Sequence, residues 1–93
     1  MPVQGHDLSA KYWPEIEPRL WSIAEADLEC ARAEIEMKII LVHDLYPEAF
    51  GTFNVPERVK MTGCGRSVTY THIPRSYDYI ANTIHNSEGD GLK

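Results

Sequence analysis

The chain has 93 residues, 14 acidic side chains against nine Lys and Arg, a net charge of −5 and 43% hydrophobic residues. That length makes one domain, and that hydrophobic content excludes a compositionally disordered chain. The charge argues against a general nucleic-acid binder, which needs a basic excess to displace counterions.

Residues 1–17 read as an N-terminal arm carrying Trp13 and Pro14, with a short turn of helix from Ser9. They lack the apolar core of a signal peptide. Pro18 stands where helices begin, with Glu15 and Glu17 placed to favour the positive end of the helix. From Arg19 to Tyr46 there is no Gly and no Pro, helix formers dominate, and Pro47 ends the segment. Leu20, Ala24, Leu28, Ala31, Ile35, Ile39, Val42 and Tyr46 recur at steps of three and four. This spacing predicts one long helix. A competing reading makes Lys38 to Asp44 a buried strand; the unbroken helical period ahead of it favours helix.

Arg58 to Thr62 and Arg66 to Ile73 alternate on either side of Gly63-Cys64-Gly65, the pattern of a β-hairpin with a three-residue connection. Pro74 closes it. Ser76 is placed to cap a short C-terminal helix with apolar positions Tyr77, Ile80, Ala81 and Ile84. Ser87 to Lys93 is a polar, glycine-containing tail. The expected fold is therefore α+β in the order α-β-β-α: an arm at 1–17, one domain at 18–86 and a tail at 87–93.

On a helix of that length, Ile23, Cys30 and Met37, with Ala26 and Ala33 between, form a second apolar line opposite the first. Glu25, Glu29 and Glu36 flank it. The spacing suits packing against another helix, so this face is the expected partner-binding surface, for a second copy of the chain or for a larger protein. The acidic margin would steer it toward a basic partner.

Charge is segregated: residues 1–50 carry a net −6 and residues 51–75 a net +3. Arg58, Lys60, Arg66, Tyr70 and His72 on the hairpin suggest an alternative, a grip on a phosphate-bearing ligand such as a nucleotide or nucleic acid. The opposing interpretation is a hairpin whose outward Lys and Arg block edge-to-edge aggregation. His43-Asp44 locally resembles the HD pair of metal-dependent phosphohydrolases, which implies a helical metal site completed by a further His and Asp; the resemblance covers a dipeptide.

Cys64 is expected as an exposed thiol and Cys30 as a small helical filler. Two cysteines make no disulfide framework, and the longest aliphatic run, Ile39 to Val42, is too short to span a bilayer. The expectation is a reduced, cytoplasmic, soluble protein with no cofactor, metal or catalytic set. It would be a non-enzymatic binding module that regulates or inhibits a larger partner by occluding its surface. In general style the chain is similar to the small inhibitors that phages deploy against host machinery.

Overall fold

The computed structural model describes residues 2–45, 53–74 and 76–86. It overturns the α-β-β-α expectation: among the described residues strands predominate, with one α-helix and two antiparallel sheets. Strands β1 (Pro2–Val3) and β2 (His6–Asp7) form a small hairpin, followed by helix α1 (Trp13–Leu28) and a single 3-10 turn at Arg32–Glu34. Strands β3 (Glu36–Leu45), β4 (Phe53–Gly63), β5 (Arg66–His72) and β6 (Tyr79–Asn86) then pair in chain order as an antiparallel meander.

The helix begins one turn earlier than Pro18 suggests. Pro14 takes the first-turn place where a missing N–H costs nothing, and Pro18 lies inside the helix. Ser9 organises the approach: its Oγ accepts the N–H groups of Lys11 and Tyr12, and its carbonyl accepts that of Trp13. Trp13, Ile16, Leu20, Ala24 and Leu28 form the buried stripe. Leu8, in the segment read as an arm, is also buried in the core.

The long helix stops at Glu29, which enters the left-handed region at φ 51° and ψ 54° and donates its N–H to the Glu25 carbonyl. From Glu36 the backbone is extended, so the strand interpretation of Lys38 to Asp44 is correct and the helical one is not. The reason lies in the period. A step of four residues returns to the same side of a helix, and also to the same side of a strand. Ile35 and Ile39 are buried and Met37 half-buried, while Glu36 and Lys38 are exposed, which is period-two alternation.

At the C-terminus the expected short helix is strand β6 instead. Tyr79-Ile80-Ala81-Asn82-Thr83-Ile84 supplies β-branched and aromatic residues that suit a pleated surface. The serine expected to cap that helix, Ser76, caps a turn: its Oγ accepts from Asp78 N–H and donates to the Ile73 carbonyl. The expected tail at 87–93 lies outside the described residues.

The β4–β5 hairpin is present, with a two-residue connection rather than three. Gly63 pairs with Arg66, and Cys64 and Gly65 both have positive φ (52° and 76°), as the tight turn favoured between twisted strands requires. The helix packs across β4, β5 and β6. Between them lie Ile16, Leu20 and Leu28 from the helix and Val59, Met61, Val68 and Tyr70 from the sheet, all buried. The opposite face of the sheet carries no helix among the described residues.

Candidate binding face

The register assigns each side chain to the covered or the open face. Lys38 pairs with Lys60 and Lys60 with Thr69; Leu41 pairs with Arg58, Arg58 with Thr71 and Thr71 with Ile80. These rows lie on the open face, because their neighbours Val59, Met61, Val68 and Tyr70 are buried under the helix. Irregularities in the β3–β4 ladder at Ile40 and Glu57 keep Leu41 opposite Arg58.

Two kinds of group therefore share one surface. Lys38, Arg58 and Lys60 supply three cations, none paired with a carboxylate among the described residues. Ile40, Leu41 and Ile80, 45%, 40% and 57% exposed, are the exposed large hydrophobics among the described residues. Thr62, Ser67, Thr69 and Thr71 add hydroxyls, and Thr71 Oγ1 lies 3.2 Å from Asn82 Oδ1. A hollow of about 480 Å³ beside Lys38 and Lys60 is bordered by Gln4, Glu36 and Thr62. Lys38 directly opposite Lys60 is unfavourable for the sheet itself, since like charges in cross-strand register repel.

The residues expected to grip phosphate are split between the two faces. Arg58 and Lys60 lie on the open face. Arg66, Tyr70 and His72 share the helix-facing parity of β5, and Tyr70 and His72 are buried. Arg66 reaches the end of the helix, 3.8 Å from Glu29. The Tyr70 hydroxyl donates to Asp27 at 2.7 Å, and burial, then the Asp27 contact, pushes its pKa far above the ordinary tyrosine value. His72 Nε2 is 2.7 Å from the Ser76 carbonyl and its ring packs against Tyr79. Tyr79 donates to the Pro56 carbonyl at 2.6 Å, and burial raises its pKa too.

The expected helical partner face does not exist as one surface. Ile23 is half-buried on α1, Cys30 lies beyond the helix and Met37 is on β3. Glu25 remains exposed on α1, Glu29 ends the helix and Glu36 begins β3. Self-association by a coiled-coil stripe is thus not available to these residues. Ile23 instead lines a groove of about 380 Å³ with Pro18, Leu20, Tyr77 and Tyr79, rimmed by the Arg19–Asp78 pair at 3.1 Å.

The cysteines also differ from expectation. Cys30 and Cys64 are joined as a disulfide across 34 positions, tying the end of the helix to the β4–β5 turn. His43-Asp44 lies on strand β3, paired with Val55 and Asn54, not on the helix its resemblance implies; the two side chains lie outside the described residues.

What sequence reasoning missed is the open face. Lys38 alternates with Met37 and Ile39, the signal that would have placed it on a strand beside Lys60. Among the described residues, no helix is long and apolar enough to cross a membrane. Comparison with protein-family models, with curated proteins and with solved structures gives no match, so the case for function rests on the chain's own surface chemistry.

Proposed function

We propose that this protein is a non-enzymatic binding module whose open sheet face occludes an acidic surface of a larger protein partner. One observation carries the reading: Lys38, Arg58 and Lys60 share with Leu41 and Ile80 a sheet face that no described helix covers, and Ile40 lies exposed beside Leu41 in the chain. Interfaces of this kind join an apolar contact area to charges that steer approach and fix register. Keeping Lys38 against Lys60 costs the isolated sheet stability, and an acidic partner would relieve that repulsion.

The same face argues for protein over nucleic acid. Single-stranded nucleic acids are held by exposed aromatic platforms together with cations. Among the described residues of this face there is no aromatic ring; Tyr70 and His72 point under the helix. The overall charge of −5 further opposes a nucleic-acid backbone as target.

The test compares capture from native host extract by the wild type and by Lys38→Glu/Arg58→Glu/Lys60→Glu. The expected result is a protein retained by the wild type, released by salt, insensitive to nuclease and lost with the variant. Equal retention by both, nuclease-sensitive retention or no protein retained by either would overturn the reading.

A further inference from the structure

The two outer edges of the four-stranded sheet are finished differently. On β3 the Gln4 side-chain amide donates to the Met37 carbonyl at 2.8 Å and accepts the Ile39 N–H at 2.9 Å. The β3 sequence also carries Glu36, Lys38 and Asp44. Charges and side-chain caps of this kind keep an edge from pairing with another chain. On β6 none of the eight residues is Asp, Glu, Lys, Arg or Pro, and among the described residues no strand pairs beyond it. We propose that the β6 edge is a self-association surface: a second copy of the chain adds its own β6 antiparallel, joining two four-stranded sheets into one.

The irregularity within β6 selects the occupant. Val68 pairs with Ile84 and Tyr70 with Ala81, so Asn82 and Thr83 together stand opposite Thr69. That extra residue reverses the alternation along the strand. Tyr79 and Ala81 fall on the helix-facing rows of His72 and Tyr70, and Ile84 and Asn86 on those of Val68 and Arg66. Ile80 and His85 fall on the open-face rows of Thr71 and Ser67.

In an antiparallel pair, residues directly opposite lie on the same face. A second β6 meets that condition with Tyr79 against Asn86, Ile80 against His85, Ala81 against Ile84 and Asn82 against Thr83. The two irregularities then meet at a twofold axis and no residue is left over. A regular strand leaves one β6 residue unmatched, as β5 does on the inner side. The edge is thus self-complementary, as a twofold contact requires.

Charge favours the same place. Each chain carries a net −5, so two copies repel unless they meet where charge is absent. Of the four strands in the sheet, β6 alone has no acidic side chain, Lys or Arg. The twofold axis runs normal to the sheet, so Ile80, 57% exposed on the open face, gains a neighbouring strand.

The experiment measures mass by sedimentation equilibrium, and amide exchange, across a concentration series of the full chain. The expected result is a dimer that persists in about 0.5 M salt, since no ion pair holds it. Exchange in Tyr79–Asn86 should slow as concentration rises, while that in Glu36–Leu45 stays constant. Asn82→Lys sets two lysines beside the axis and should raise the dimer dissociation constant about tenfold or more. A monomer at every concentration up to about 1 mM would overturn the proposal. So would a dimer dispersed by salt, protection that builds on Glu36–Leu45 instead, or a dissociation constant unmoved in folded Asn82→Lys. If that variant does not fold, the wild-type exchange pattern decides. Partner capture by the open face is a separate readout.

Discussion

Gly63 shows how one residue holds two elements together. Its φ is unremarkable, and glycine is needed there because the Glu34 carbonyl and Cys30 sulfur leave no room for a methyl group. Gly63→Ala should cost about 1–3 kcal/mol, the usual range for overpacking, read as a lowered urea midpoint. Glu29 presents the opposite case. It holds a left-handed conformation that glycine adopts freely, so Glu29→Gly should raise stability by up to about 1 kcal/mol, less the small contribution of the exposed Arg66 contact. An unchanged or lowered urea midpoint would contradict that strain. Tyr70 and Tyr79 have folded-state pKa values raised above their ordinary value of 10.0. Their contribution is fully present below pH 10 and is lost as pH rises, because the unfolded chain gives up those protons first. The urea midpoint should therefore fall above about pH 10, and more gently in Tyr70→Phe than in the wild type.

Element identity turned on periods that two structures share. Leu20, Ala24 and Leu28 read correctly as a helical stripe, and the β4–β5 hairpin was legible from alternation around its glycines. Ile35 and Ile39 continued the step of four into a strand, and no Gly or Pro marked the change. The break came from Glu29 in a left-handed conformation, which its residue type does not advertise. Ile80 and Ile84 misled differently: their step of four crosses an irregularity in the ladder between Val68 and Tyr70, so Ile80 pairs with Thr71 and Ile84 with Val68, on opposite faces of β5. A further device protects the β3 edge. The Gln4 side-chain amide donates to the Met37 carbonyl at 2.8 Å and accepts the Ile39 N–H at 2.9 Å, standing in for a neighbouring strand. Gln4→Ala should cost about 0.5–1.5 kcal/mol in denaturant unfolding and speed amide exchange at Ile39. On the same strand pair, Lys60→Thr should raise stability by about 0.2–1 kcal/mol by removing the repulsion with Lys38. A loss of stability would show that Lys60 serves the fold.

At the scale of the whole molecule, burial divides along the sheet. The open side carries Lys38, Arg58 and Lys60 against Glu36, so a net charge of −5 conceals a face with a cationic excess. The division was half legible. The basic excess of residues 51–75 was visible in the sequence, but Lys38 joins it only through strand pairing across the sheet. Tyr70 and His72 leave it because alternate residues of β5 point under the helix. The central claim is that this face binds an acidic protein surface, and its most direct test is an affinity measurement. The dissociation constant for the captured partner would be compared between the wild type and Lys38→Thr/Arg58→Thr/Lys60→Thr, both shown to be folded. The account predicts a loss of about a hundredfold or more at low salt, shrinking as salt screens the wild-type interaction. An unchanged dissociation constant would contradict it.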